Sequence, residues 1–234
     1  VTYINWYYLG EDGAAVTGFQ TINGKMYYFY TNNGVMATDT VRRDYENEVT
    51  YAFDVNGNQV KNSWYKEEYT TYYDEEEVKV IDWYFFGEDG KAITGWKASG
   101  GKWYYFDEYY GDMISDDIRW IDDKTYAFDI SGAMIVNNWY NETYSYYQNE
   151  EKIFVSNWYY LGADGAAITG WKAFDEKWYY FDEYNGRMLS DETRMIDNKV
   201  YAFDASGAMI TNNWYKETVT WYGSDNVTHT EVNW

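Results

Sequence analysis

The chain repeats itself, and that constrains its fold more than any other feature. Asn5-Trp6-Tyr7-Tyr8-Leu9-Gly10-Glu11-Asp12-Gly13 returns as Asp82-Trp83-Tyr84-Phe85-Phe86-Gly87-Glu88-Asp89-Gly90 and again as Asn157-Trp158-Tyr159-Tyr160-Leu161-Gly162-Ala163-Asp164-Gly165. Asn233-Trp234 opens a fourth copy, and the shared Trp recurs after 77, 75 and 76 residues. Each copy divides into pieces of about twenty residues, an aromatic or β-branched run followed by a Gly-containing turn, and helical periodicity is absent. An isolated hairpin is marginal in water, so such pieces must stack on their neighbours. The predicted fold is all-β: an elongated solenoid of stacked β-hairpins built from these small units in three long repeats. The repeats run over approximately 1–81, 82–156 and 157–232, with 233–234 starting a fourth. Because no piece can fold alone, 1–234 reads as a single repeat array.

Composition removes several functions. The formal net charge of −21 repels phosphate backbones, which argues against nucleic acid. No apolar run approaches the roughly 18 residues a spanning helix needs, so no membrane insertion is expected. The absence of Cys excludes disulfides and zinc-thiolate sites. His229 is the sole histidine, too few for a His-rich metal centre or a Ser-His-Asp triad. Many of the 39 acidic residues fall in turns such as Asp89-Gly90, where Asp favours the turn itself. The reading is therefore no catalytic residues, no metal and no cofactor. Catalysis needs one singular constellation, whereas this chain presents the same modest surface repeatedly, which suits avidity.

Gly95-Trp96-Lys97-Ala98-Ser99-Gly100-Gly101-Lys102-Trp103-Tyr104-Tyr105-Phe106 has a close counterpart at 170–181. A Ser99-Gly100 turn would set Trp96 opposite Trp103, and a Gly100-Gly101 turn would set it opposite Tyr105. Either register clusters aromatics on one face. The other face carries Tyr104 and Phe106, echoed at Tyr126 and Phe128, Tyr179 and Phe181, and Tyr201 and Phe203. Because that set recurs even where the Trp positions become Thr125 and Ala127, it is assigned to the core, and the Trp-bearing face is where a ligand is expected.

These residues resemble the choline-binding and glucan-binding repeats of Gram-positive surface proteins, whose unit combines Gly-Trp, a short turn, Trp-Tyr-Tyr and a following Gly-x-Met. Thr94-Gly95-Trp96 with Trp103-Tyr104-Tyr105 and Thr169-Gly170-Trp171 with Trp178-Tyr179-Tyr180 carry the likeness, and Met113, Met134, Met188 and Met209 fall at the Met position. In choline-binding members the resemblance implies a cage of three aromatics around a quaternary ammonium, held by cation–π attraction. Two walls would be Trp96 and Trp103, or Trp171 and Trp178. By alignment the third falls on Ala127 or Ala202, too small to close a cage. The first copy has Phe19 and Met26 in place of the two Trp.

The expected ligand-binding residues are Trp96, Trp103, Tyr105, Trp171, Trp178 and Tyr180. A second cluster would use Trp139, Tyr146 and then Trp158 or Tyr160, with Trp214 and Trp221 as its counterpart. The implied function is a non-catalytic, multivalent module for a surface glycan or a choline-bearing cell-wall polymer, with a glucan-type glycan favoured because an open platform suits sugar rings. A secreted protein of the bacterial cell surface, with this array attached to further domains, is the expected setting. The competing reading is a structural spacer or a protein-binding adhesin or toxin-type receptor-binding repeat whose aromatics are all core.

Overall fold

The computed structural model describes residues 4–73, 75–148, 150–222 and 228–233. Their strands are β1 (Gly18–Ile22), β2 (Lys25–Phe29), β3 (Thr40–Asp44), β4 (Val49–Phe53), β5 (Ser63–Tyr73), β6 (Glu76–Phe86), β7 (Gly95–Ser99), β8 (Lys102–Phe106), β9 (Asp117–Ile121), β10 (Lys124–Phe128), β11 (Asn138–Gln148), β12 (Glu151–Leu161), β13 (Gly170–Phe174), β14 (Lys177–Phe181), β15 (Glu192–Ile196), β16 (Lys199–Phe203), β17 (Glu217–Tyr222) and β18 (Thr228–Asn233). Consecutive strands pair as nine antiparallel hairpins, each a separate two-stranded sheet, and no helix occurs among the described residues. The all-β hairpin fold is as expected. Each long repeat holds three hairpins, and in the first two repeats the third hairpin has strands of 11 residues, against 6 in the third repeat's and 5 in the remaining hairpins. Two compact units result: Val1–Ser115 with Ser131–Ala133, and Asp116–Ile130 with Met134–Trp234.

The tight turns follow from backbone chemistry. Gly100 and Gly101 both have positive φ, and so do Asp122 and Asp123, Asp175 and Glu176, and Asp197 and Asn198. Two successive positive-φ residues are the type I′ signature, whose twist matches that of the flanking strands. The turn is thus Gly100-Gly101, and Trp96 faces Tyr105 rather than Trp103. In the first repeat the loop Tyr45–Glu48 connects β3 to β4 where Asp122-Asp123 suffices in the second. These two extra residues account for the spacing of 77 rather than 75.

In the short Trp-bearing hairpins burial runs along the second strand, whereas in the long strands β6 and β12 it also alternates between faces. In β8 and β14 exposure falls steadily from the turn to the strand end: Lys and Trp are exposed, the first Tyr is half-buried, and the second Tyr and Phe are buried. Phe53, Phe86, Phe106, Phe128, Phe181 and Phe203, with Leu161, are fully buried at the last position of their strands. Each is also held by an antiparallel bridge to a residue beyond the turn that follows, as in Phe106 to Met113 and Phe181 to Met188. Phe106, Phe128, Phe181 and Phe203 are therefore core, as the sequence indicates. The two-faced assignment needs correction for tyrosine: Tyr105 and Tyr180, expected on the ligand face, are buried at the packed end, while Tyr104 and Tyr179 are only half-buried.

Equivalent contacts between residues 60 apart in the chain tie each unit together. Thr50 Oγ1 donates to Tyr110 O at 2.8 Å in the first unit, and Thr125 Oγ1 donates to Asn185 O at 2.8 Å in the second. Both threonines are buried. Methionines clasp the following turn, Met134 over Gly165 and Met188 over Gly207.

Two glycine substitutions separate backbone strain from packing. Gly165 and Gly170 both have positive φ, but a Cβ at Gly165 would sit 2.4 Å from Met134 Sδ, whereas one at Gly170 meets nothing within 4 Å. Gly170→Ala is expected to cost about 1–2 kcal/mol of backbone strain. Gly165→Ala is expected to cost about 1–3 kcal/mol more through overpacking, as read from urea denaturation midpoints.

Candidate ligand-binding site

Three aromatic rings and a methionine recur where consecutive hairpins meet. In the second unit, Trp139 on β11 lies edge-on to Trp158 on β12 at 6.3 Å and to Tyr179 of the next hairpin at 6.1 Å. The amide of Met188 donates to Trp158 O at 2.8 Å and fixes the methionine beside them. With Phe174, Asp175, Ala205 and Ser206 they line an open groove of about 450 Å³. Two strand geometries build it: Trp158 pairs with Asn141 and so lies diagonal to Trp139 on the same face, and Tyr179 occupies the half-buried middle of β14.

The same arrangement is repeated one hairpin later. Trp171 is 6.4 Å from Trp178 and 4.8 Å from Tyr201, and Met209 N donates to Trp178 O at 2.7 Å. In the first unit, Trp64 is 6.5 Å from Trp83 and 5.4 Å from Tyr104, with Met113 N bonded to Trp83 O at 2.7 Å. Nearer the start of the chain, Trp6, Tyr27 and Met36 line a groove of about 630 Å³ with Tyr7, Tyr8, Asn23, Lys25, Thr38 and Asn56.

The structure therefore supplies a third wall where the alignment had none. The ring comes from Tyr201, one residue before Ala202, and Ala127 is buried beneath Tyr159 and Leu161. Trp171, Trp178, Trp139 and Trp158 lie in these aromatic corners. Trp96 and Trp103 make the same edge-on pair at 6.3 Å, with Trp103 49% exposed. Tyr105 and Tyr180 pack behind the tryptophans, 5.1 Å from Trp96 and 5.0 Å from Trp171. Tyr146 does not join Trp139: β11 runs unbroken between them, and seven residues of strand span about 23 Å. Trp214 is 85% exposed in the segment before β17. The side chain of Trp221 lies outside the described residues, as does Trp234. Residue-level reasoning missed Trp64, Trp83, Tyr104, Tyr179 and Tyr201. The 75-residue spacing that relates Trp64 to Trp139 was the available signal.

Charges around the rings are of both signs. Lys97 Nζ lies 3.7 Å from the centre of Phe85, beside Trp64. Burial and then the Glu183 carboxylate, to which Tyr180 donates at 2.8 Å, push the Tyr180 phenol up to about 12. Burial first, then Asp39, Asp82 and Glu142 respectively, holds Tyr65, Tyr84 and Tyr159 well above the usual phenol range. Burial raises Asp182, but the amides of Asn185 and Tyr184 and the Arg194 guanidinium outweigh it and bring its carboxyl below the usual value. No cluster of three or more acidic, His or Cys side chains able to hold a metal occurs among the described residues.

The choline-binding repeat family matches residues 16–64, 78–117 and 151–192, more than half of the sequence, and the chain belongs to this family. It is similar to glucosyltransferase-I of Streptococcus downei, 29% identical over 98% of this chain and 17% of that protein. It is also similar to glucosyltransferase-S of Streptococcus mutans serotype c, 28% identical over 89% of this chain and 13% of that protein. The chain thus spans less than a fifth of either relative. Among solved structures, choline binding protein F of Streptococcus pneumoniae aligns at 27% identity with a TM-score of 0.44, covering 88% of this chain and 61% of that one.

The pKa directions set a pH window. A phenol raised in the folded state stabilises fully below its unfolded value of about 10, and that stability is lost as pH climbs toward 12. The lowered Asp182 acts oppositely, stabilising above about pH 4 and losing that contribution as pH falls. Urea midpoints are expected to be flat between about pH 5 and 9 and to fall on both sides. Tyr180→Phe is expected to make the alkaline limb shallower, leaving the part carried by Tyr65, Tyr84 and Tyr159.

Proposed function

We propose that this chain is a non-catalytic module that holds a linear, glucan-type glycan through several aromatic corners at once. The carrying observation is the lining of the grooves. The rings are accompanied by hydroxyl-binding groups, Asp175 and Ser206 in one groove and Asn23, Lys25, Thr38 and Asn56 in another. Sugars present an apolar ring face to an indole and hydroxyls to such groups. A quaternary ammonium makes no use of the hydroxyl and amide groups and is repelled by Lys25, while the Asp175 carboxylate serves either ligand. Exposed Trp158 and Trp178 leave the corners open to a chain rather than closed around a headgroup. Several weak corners carried by one chain bind a polymer by avidity without further contacts. The similarity to streptococcal glucosyltransferases supports this reading, and we place the module at the surface of a Gram-positive bacterium within a longer secreted protein.

A second reading has its own support. Tyr179 and Tyr201 complete three-sided aromatic corners, the geometry that favours a choline headgroup by cation–π attraction.

Intrinsic Trp fluorescence, titrated in parallel with isomalto-oligosaccharides, malto-oligosaccharides and choline, separates the two. Saturable change with one oligosaccharide series is the expected result. Trp158→Ala and Trp178→Ala should each weaken it about fivefold, the loss of about 1 kcal/mol of ring contact. Response to choline alone would establish the second reading, and silence toward all ligands would leave the spacer or adhesin.

A further inference from the structure

The long hairpin β11–β12 continues beyond its aromatic corner, and its outward face differs from that of the matching long hairpin β5–β6. Asn141, Thr143, Ser145 and Tyr147 on β11 are paired with Trp158, Ser156, Phe154 and Lys152 on β12, so all share one face. Phe154 is 78% and Tyr147 73% exposed. None of these side chains carries a carboxylate, in a chain whose formal net charge is −21. The opposite face is the packed one, where Tyr159 is buried and donates to Glu142 at 3.2 Å.

We infer that this face is an extension of the Trp139–Trp158–Tyr179 corner that carries a neutral, hydroxyl-rich polymer along the hairpin, with Phe154 and Tyr147 as outer stacking positions. The inference rests on the glycan reading above. From Trp158, Phe154 lies four residues and Lys152, the partner of Tyr147, six residues along β12, about 13 and 20 Å at the rise of a strand. Between the rings stand only small hydroxyl and amide side chains, with Asn141 Nδ2 bonded to Ser156 Oγ at 2.8 Å. They hold the platform flat and leave hydroxyl partners on it. Lys152 Nζ lies over both outer rings, 5.5 Å from Phe154 and 6.0 Å from Tyr147, where it can donate to a polymer oxygen and would repel a cation.

The matching hairpin of the first unit provides an internal control. On the same face of β5–β6, Lys79 stands where Phe154 is, and Lys66 and Lys79 clamp Glu68 in an ion pair. The lysines hold the Glu68 carboxyl at about 2, so this face stays charged at any physiological pH. Tyr72 matches Tyr147 but has Glu77 opposite it. That surface is suited to solvent, and the β11–β12 surface to a ligand.

The test compares isomaltotriose with size-fractionated dextran on the full chain, read by Trp fluorescence, for the parent and for a Phe154→Ala/Tyr147→Ala variant. Both substitutions are exposed, and circular dichroism checks that the fold is kept. The parent should bind dextran more tightly per chain than isomaltotriose. The variant should lose about fivefold or more of dextran affinity while isomaltotriose binding stays unchanged, and Tyr72→Ala should change neither. Full dextran affinity in the variant, or equal loss in Tyr72→Ala, would overturn the inference and leave the glycan reading standing. Absence of binding by the parent to either sugar would remove both.

Discussion

The structure described from β1 to β16 depends on how one large side chain per hairpin is buried. A two-stranded sheet has no interior of its own. A Phe or Leu at the last position of the second strand is removed from water only when the next turn folds back over it. Phe106 and Phe181 do this by bridging to Met113 and Met188, and each fully buried side chain of this size contributes about 1.5–3 kcal/mol relative to exposure. That single anchor fixes where the following hairpin begins, and so where its rings fall.

The aromatic corners are a by-product of the same anchor. Because burial increases toward the strand end, the tryptophan near the turn stays exposed while the second tyrosine of the same strand is buried. The bridge that holds Phe181 also carries Met188 onto Trp158 O. Packing and binding surface are thus two ends of one strand, and the spacer and binding readings share the same residues. What favours binding is the material at the open end: exposed indoles, donors and acceptors, and in β11–β12 a stripe free of carboxylate.

Acidic residues serve the scaffold more than the surface chemistry. Asp54, Asp107, Asp182 and Asp204 each accept backbone amides of their own turns. These bonds satisfy groups that a Pro-free chain must place in so many tight corners. The large negative charge is in part the consequence of building an array from Asp-capped turns.

The sequence by itself determined the all-β class, the period of the array, its hairpin turns and the terminal Phe set, because these depend on local backbone preference and on a pattern repeated three times. It also placed the indole pairs, Trp171 with Trp178 and Trp139 with Trp158, since each lies within one hairpin. The register of Trp96 against Tyr105 turned on which of two glycine-containing pairs took the I′ turn. The third ring came from the neighbouring hairpin, and an alignment of linear motifs missed it by one residue, choosing Ala202 over Tyr201. Tyr146 failed for the opposite reason: the length of β11 carries it along the ribbon, away from Trp139. Which face of a hairpin meets a neighbour, and how far along a strand water is excluded, are long-range contacts. Only the tertiary structure could decide them, because the energy that selects them is shared between residues far apart in the chain.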